Sequence, residues 1–202
     1  MRAAPGPPYS GTMTKTIVQL AIPLLWLAWL TYWWLSARNV KRTTWREPTR
    51  LWLRHRVPLI IGALLLAAPN WVPRALTRRF LPAGSVLPVV GTLLLAAGLG
   101  FSVWARRHLG RNWSAHVVVK EDHALVRTGP YRRLRHPIYT GILLAFLGMV
   151  LAIGELRGLV ALGFVLLSFA VKSRQEERRM GEVFPEYDQY RRETAALIPF
   201  VY

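Results

Sequence analysis

The sequence predicts an all-α integral membrane protein with about five transmembrane helices, its N-terminus outside and its C-terminus in the cytoplasm. Hydrophobic residues make up 52% of the 202 residues, yet the net charge is +17. Long uncharged runs alternate with short Arg-rich stretches, which is the pattern of a membrane protein and not of a soluble domain. The chain has no cysteine, which excludes disulfides, thiolate metal sites and cysteine nucleophiles.

Five apolar runs follow residues 1–16, a stretch rich in Pro, Gly and Thr that we expect to be a disordered tail. The predicted spans are 17–37, 57–73, 80–105, 137–154 and 158–171. The last run is short for a full crossing, so we expect its helix to continue through Lys172 and Arg174. A very short connection joins the fourth and fifth spans, which predicts a tight antiparallel hairpin of helices.

The distribution of Lys and Arg predicts the orientation of the spans. The first and third connections and the C-terminal tail carry seven, eight and six of them. The N-terminal tail and the second and fourth connections carry two, three and one. The positive-inside rule therefore puts the Arg-rich connections in the cytoplasm.

Several function classes are disfavoured by the same composition. Basic residues placed between apolar spans favour anionic lipid headgroups as partners over nucleic acid. The spans are not inverted copies of one another and carry almost no ionisable residue at membrane depth, which disfavours a transporter or a channel. The chemistry is therefore expected in the third connection and the C-terminal tail. We expect no obligate protein partner.

The third connection carries the first group of polar residues. Residues 117–119 and 125–127 are predicted to pair as a small hairpin. Gly129 and Pro130 then break the chain, and Pro137 suits the first turn of the fourth span. His136 and Tyr139 point to one side of that turn.

The tail adds a second group, in which Lys172 and Glu176 share one helix face. Taken singly, these residues have ordinary roles. Lys172 and Glu176 form a surface ion pair at this spacing, His136 caps a helix or lies at the interface, and Tyr139 belongs to an aromatic belt.

Together these residues form an ordered set of motifs that indicates a shared function. The order is HALVRTGPY at 123–131, RHPIY at 135–139, a hydrophobic hairpin, then EE at 176–177 and an aromatic-rich tail. This resembles the isoprenylcysteine carboxyl methyltransferase family and the wider group of membrane methyltransferases that includes phospholipid methyltransferases. The resemblance covers residues 109–200, and the earlier spans match only in hydrophobic character.

The resemblance implies S-adenosylmethionine as the methyl donor, bound at the cytoplasmic end of the fourth span. Methyl transfer from a sulfonium group is an in-line displacement that needs alignment more than acid–base help, so we assign no acid, base or metal site. Lys172 stands where the family usually has a substrate-facing Arg. The residues that match the family's donor contacts are His123, Ala124, Leu125, Val126, Tyr131, His136, Pro137, Ile138, Tyr139 and Glu176.

Two departures from the family pattern bear on the acceptor. Lys172 lacks the planar fork with which Arg binds a carboxylate, and Arg174 has the wrong spacing for the same helix face. At 184–187 the sequence reads FPEY, where relatives often have Phe-Gly and one residue more before Tyr. The Lys172 departure puts the recognition of a carboxylate in question.

The implied function is methyl transfer to a lipid-like or lipidated acceptor, first of all the carboxyl O-methylation of an isoprenylcysteine. N- or S-methylation of a lipid amine or small thiol is the alternative, and a non-enzymatic membrane scaffold or transporter is the alternative of another class. Residues 17–105 then form three N-terminal spans, and 106–202 form the catalytic region. We expect a prokaryotic inner membrane, with the site facing the cytoplasm.

Overall fold

The computed structural model describes residues 10–38, 43–67, 71–84, 86–113, 118–120 and 125–198. Within them the chain is mainly helical, as predicted, with one small antiparallel sheet. The helices are α1 (Ser10–Ser36), α2 (Thr49–Ala67), α3 (Val86–Leu109), α4 (Pro137–Ile153), α5 (Leu156–Val183) and α6 (Tyr187–Glu193), and the strands are β1 (Thr43–Arg46) and β2 (Val118–Lys120).

Among the described residues, three helices are long and apolar enough to cross a membrane, namely α3, α5 and the part of α1 from Val18 to Ser36. The fourth predicted span forms the apolar helix α4, which has 17 residues. The second lies closer to the N-terminus than predicted, because α2 runs from Thr49 to Ala67 and residues 71–73 are not α-helical. The count of five crossings therefore stays a prediction, although each predicted span contains a helix.

Helix α1 has two different faces. Leu20, Leu24 and Leu27 are 60%, 60% and 61% exposed, and their spacing places them on one side of the helix. An apolar face of this kind is typical of a surface in contact with lipid. The helix begins at Ser10, inside the stretch 1–16 that we expected to be a disordered tail. Residues 1–9 lie outside the described part.

Helices α3 and α4 pack closely because glycines meet at two levels of their interface. A Cβ atom on Gly98 would lie 2.5 Å from the carbonyl oxygen of Gly141, and one on Gly91 would lie 2.5 Å from that of Gly148. The two glycines on each helix are seven residues apart, so they lie on the same face two turns apart. Small residues at this spacing let two backbones approach in a membrane.

The connection between α4 and α5 is as short as predicted. Gly154 has a φ of 67° and ends α4 in the left-handed conformation, with its amide donating to Val150 at 2.9 Å, because glycine adopts this conformation without a Cβ clash. The second connection lies alongside it. The amides of Phe80 and Leu156 donate across to Gly154 and Arg78 at 3.0 and 3.1 Å.

The strand pairing differs from the predicted hairpin. β2 pairs with β1, with Arg46 opposite Val118, and residues 125–127 form no strand. The alternation of polar and apolar residues indicated a strand, but the partner comes from the first connection, which is distant in sequence. The pairing brings the first and third connections together. The second and fourth connections contact each other at a separate place, where Arg79 pairs with Glu155.

Candidate active site

The site begins with the segment that leads into α4. Gly129 has a φ of 57° and opens a short 3-10 turn through Arg132. Tyr131 in this turn is 6% exposed. Burial, together with the negative charge of Glu176, raises the pKa of Tyr131 above its usual value, so its phenol stays protonated. His136 then precedes Pro137, the first residue of α4, as the sequence indicated.

The C-terminal segment holds this lead-in from one side. The amides of Arg135 and His136 donate to the carbonyls of Ala195 and Ala196 at 2.9 and 3.1 Å. The buried hydroxyl of Tyr190, in α6, donates to the carbonyl of Tyr131 at 2.7 Å. The third connection and the C-terminal tail, where the sequence predicts the chemistry, therefore meet.

His136 lies between two carboxylates from α5. Its Nδ1 atom is 3.3 Å from Oε2 of Glu176, and its Nε2 atom is 3.0 Å from Oε1 of Glu177. Burial by itself disfavours a charged imidazole, but the hydrogen bonds and charges of the two carboxylates outweigh it and raise the pKa of His136. Both ring nitrogens then act as donors.

Glu176 has further partners in addition to His136. The Tyr139 hydroxyl donates to its Oε1 atom at 2.7 Å, and the Lys172 Nζ atom lies 3.7 Å from the same oxygen. The Tyr139 ring stacks on Phe169, with ring centroids 4.5 Å apart and planes within 8°. One carboxylate is thus surrounded by a phenol, an imidazole and an ammonium group, beside two parallel rings.

Glu177 has a different role, which the sequence did not reveal. Its Oε1 atom accepts a hydrogen bond from Nε of Arg135 at 2.8 Å. The Arg135 guanidinium also donates to the carbonyls of Arg191 and Thr194. Glu177 therefore ties α5 to the lead-in of α4 and to the end of α6, whereas Glu176 faces the cavity.

A cavity of about 950 Å³ adjoins this cluster, with walls from α1, α2, α4, α5 and α6. Pro137 is fully buried and does not reach the cavity wall. His123 and Ala124 lie outside the described residues. The predicted residues that line the cavity are Leu125, Val126, Tyr131, His136, Ile138, Tyr139, Lys172 and Glu176.

The cavity also has walls that sequence reasoning missed. Trp26, Trp29 and Trp33 of α1 line it, and Trp29 donates from its indole nitrogen to Ser102 Oγ at 2.7 Å. Their spacing of three and four residues places them on one helix face, which is the sequence signal that could have found them. By contrast, Trp34 is 62% exposed.

Two basic residues of α2 are a second omission. His55 and Arg56 line the cavity, and His55 forms a buried pair with Glu47 at 3.2 Å. Arg56 was counted among the seven Lys and Arg residues of the first connection, and neither His55 nor Arg56 was given a role in the site. Arg174, which was considered as a substitute for the missing Arg, is exposed and does not line the cavity.

The lining fits the methyl donor that the motifs imply. Glu176 is an acceptor for amino or hydroxyl groups, and Tyr139 and Phe169 form an aromatic wall suited to a flat ring. Pockets for small molecules usually measure about 300–1,000 Å³, so a cavity of about 950 Å³ has room for a donor and for part of an acceptor.

Comparison with known proteins identifies the family to which the chain belongs. Residues 86–187, half of the chain, match the phospholipid methyltransferase family model. This stretch contains α3, α4, α5 and the cluster around Glu176. The chain belongs to the phospholipid methyltransferase family, which confirms the resemblance drawn from the motifs.

Three proteins with known names are similar in sequence to this chain. It is 38% identical to the cobalt-zinc-cadmium resistance protein CzcN of Cupriavidus metallidurans over 54% of this chain and 51% of that protein. It is 32% identical to the nickel-cobalt-cadmium resistance protein NccN of Alcaligenes xylosoxydans xylosoxydans over 66% and 71%. It is 35% identical to the protein-S-isoprenylcysteine O-methyltransferase of Saccharomyces cerevisiae over 56% and 49%. The matches span about half the length of the first and third.

Proposed function

We propose that the chain is an S-adenosylmethionine-dependent membrane methyltransferase that acts on a lipid-like or lipidated acceptor. One observation carries this proposal. Glu176, with Tyr139 at 2.7 Å and His136 at 3.3 Å, lies at the wall of a mainly apolar cavity of about 950 Å³. Membership of a methyltransferase family supports the same conclusion.

The donor half of the cavity is assigned to the residues around Glu176. S-adenosylmethionine supplies a methyl group on a positively charged sulfur. Glu176 accepts hydrogen bonds from the amino or hydroxyl groups of the donor, while His136 and Tyr139 hold the Glu176 carboxylate in place. Tyr139, Leu125 and Val126 provide the apolar wall. Methyl transfer is an in-line displacement, so these residues act by alignment and proximity.

The acceptor half is assigned to the apolar wall formed by α1 and α2. Trp26, Trp29 and Trp33 offer aromatic contacts to a hydrocarbon chain, and such an acceptor enters laterally from the bilayer. The first candidate reaction is carboxyl O-methylation of an isoprenylcysteine, because the yeast relative carries that activity in its name. Lys172 faces this acceptor and supplies a positive charge.

A second acceptor class is favoured by two observations. The matching family model is that of phospholipid methyltransferases, and Lys172 stands where the isoprenylcysteine enzymes usually have Arg. Both support N-methylation of a lipid amine, and the second also admits a small thiol as acceptor. A non-enzymatic scaffold or transporter of the same fold remains the alternative of another class.

The proposed setting is a prokaryotic inner membrane crossed five times, with the site at the cytoplasmic edge and anionic headgroups around the basic connections. Helix α5 has 28 residues and is about 42 Å long at 1.5 Å per residue, whereas the hydrocarbon core is about 30 Å thick. Its last turns, with Glu176 and Glu177, therefore extend beyond the apolar region. The pairing of β1 with β2 supports placing the first and third connections on one face.

Donor binding is the first test. Purified protein in detergent is heated with and without S-adenosylmethionine and S-adenosylhomocysteine, and we expect both ligands to raise the melting temperature by mass action. Adenosine monophosphate serves as the control nucleotide. No shift with either sulfur compound contradicts the enzyme and favours the scaffold or transporter.

Methyl transfer is the second test. Native membranes that contain the protein are incubated with S-adenosylmethionine labelled in its methyl group, and the labelled product is identified. A base-labile methyl ester indicates carboxyl O-methylation, and a base-stable labelled lipid indicates N-methylation. Membranes with the Glu176→Gln variant are the matched control, and equal labelling in both contradicts the assigned site.

A further inference from the structure

Two cations from different helices line the same mainly apolar cavity. Arg56 comes from α2 and Lys172 from α5, and both belong to the cavity wall. The Lys172 side chain is 11% exposed. A buried or partly buried cation is unfavourable unless an anion or hydrogen-bond acceptor compensates it. Arg56 and Lys172 are both positively charged and repel each other.

Arg56 has a donor that the described part of the chain leaves unpaired. Its Nε atom is buried and has no hydrogen-bond partner there. The guanidinium carbon lies 5.6 Å from the centre of the Trp52 ring, a contact that does not satisfy an N–H donor. Buried donors without a partner are rare in proteins, so this group is suited to an acceptor atom that a ligand brings.

The packing of α2 on α5 places Arg56 near Lys172. Ser168 Oγ donates at 2.6 Å to the carbonyl of His55, the residue before Arg56. Ser168 and Lys172 are four residues apart on α5 and share a face. The His55 ring is held in turn by Glu47 at 3.2 Å, with both side chains 1% exposed. The backbone at Arg56 is thus fixed from two sides.

We propose that Arg56 and Lys172 together bind an anionic group of the methyl acceptor, a carboxylate or a phosphate. Arg56 supplies the planar fork that matches either anion, and this is the feature that Lys172 lacks. This inference rests on the proposed function, since it names the acceptor chemistry of the same cavity. It assigns the recognition of the anion to α2 rather than to α5 alone.

The test is a binding titration, independent of catalysis, that follows tryptophan fluorescence of the full chain in detergent. The probes are N-acetyl-S-farnesylcysteine, its uncharged carboxamide, and lysophosphatidylethanolamine for the phosphate. We expect Arg56→Gln to weaken the favoured anionic probe about tenfold, the usual effect of losing a charge-assisted hydrogen bond. Carboxamide binding should change less than twofold.

Two further variants separate charge from geometry. Arg56→Lys keeps the charge without the fork, so we expect an intermediate affinity. Arg54→Gln is the matched control, because Arg54 is exposed on the same helix and does not line the cavity, and its affinities should equal those of the wild type. The anionic probe that loses affinity in Arg56→Gln identifies the source of the anion.

The anion site is overturned if Arg56→Gln binds both anionic probes as tightly as the wild type. It is also overturned if the wild type binds the carboxamide as well as the charged probes, or binds no probe at all. These outcomes differ from a failure of the proposed function, which appears as an absent melting shift with S-adenosylhomocysteine. Donor affinity in Arg56→Gln should stay within twofold of the wild type.

Discussion

The Tyr139 hydroxyl donates a 2.7 Å hydrogen bond to the Glu176 carboxylate. This bond joins the first turn of α4 to a late turn of α5, across 37 positions of sequence. The Tyr139 ring also stacks with the rings of His136 and Phe169, at centroid distances of 5.3 and 4.5 Å. The orientation of the carboxylate is therefore set by three aromatic side chains in addition to its own helix.

Removing the charge of Glu176 should weaken donor binding. We expect Glu176→Gln to lower the affinity for S-adenosylhomocysteine about 10- to 100-fold, since hydrogen bonds to charged groups contribute about 1.5–3 kcal/mol. Calorimetric titration in detergent measures the effect. Glu182→Gln is the matched control, because Glu182 lies on the same helix with a side chain that is 47% exposed. Equal affinities of the two variants exclude Glu176 from the donor site.

Tyr139→Phe should have a smaller effect of the same sign. The substitution keeps the stacked ring and removes only the hydroxyl that orients Glu176. We expect a loss of donor affinity of about tenfold or less, corresponding to about 1 kcal/mol for one hydrogen bond. The same titration measures it, and Tyr32→Phe, whose phenol lies outside the cavity wall, is the control. A loss as large as that of Glu176→Gln contradicts a purely orienting role.

Lys172→Ala should act on the other substrate. We expect it to raise KM for the acceptor while donor affinity changes much less, because Lys172 lines the cavity and we assign it to the acceptor. Compared with Lys172→Ala, the Lys172→Arg variant should have a lower KM for a carboxylate acceptor, since Arg keeps the charge and adds the planar fork. Initial-rate kinetics at saturating donor measure both variants. Equal losses for donor and acceptor contradict this division of roles.

Gly98→Leu should destabilise the fold, because the new side chain meets the backbone of α4. A Cβ atom there would lie 2.5 Å from the amide nitrogen of Ala145, so α3 and α4 must separate. We expect a loss of about 1–3 kcal/mol, the usual cost of overpacking, seen as a lower melting temperature. Gly100→Leu is the control on the same helix, since a Cβ there meets nothing within 4 Å. Equal melting temperatures contradict the glycine contact.

The charge of His136 should make stability depend on pH. Its folded pKa is raised above 6.5, so its contribution to the free energy of unfolding is fully present below about pH 6.5. The contribution is lost as pH rises through the raised pKa. We expect the difference in melting temperature between wild type and His136→Gln to be largest near pH 6 and to shrink toward pH 9. A constant difference contradicts a charged His136.

The site illustrates what sequence reasoning reached and what it missed. The lead-in to α4 and the acidic pair on α5 were found because short-range motifs encode them, at 135–139 and 176–177. Arg135 and Glu177 lay within those motifs, yet their pairing depends on how α5 crosses α4. The inward face of α1, with Trp26 and Trp29, has no such motif and shows only as a helical spacing.

By itself the sequence determined the apolar helices and the short motifs around Glu176, because hydrophobic length and local motifs are properties of contiguous chain. The tertiary structure decided which distant segments meet. β1 rather than residues 125–127 became the partner of β2, and α2 brought Arg56 into the cavity. Strand pairing and helix packing depend on contacts between segments far apart in sequence, which no local pattern specifies.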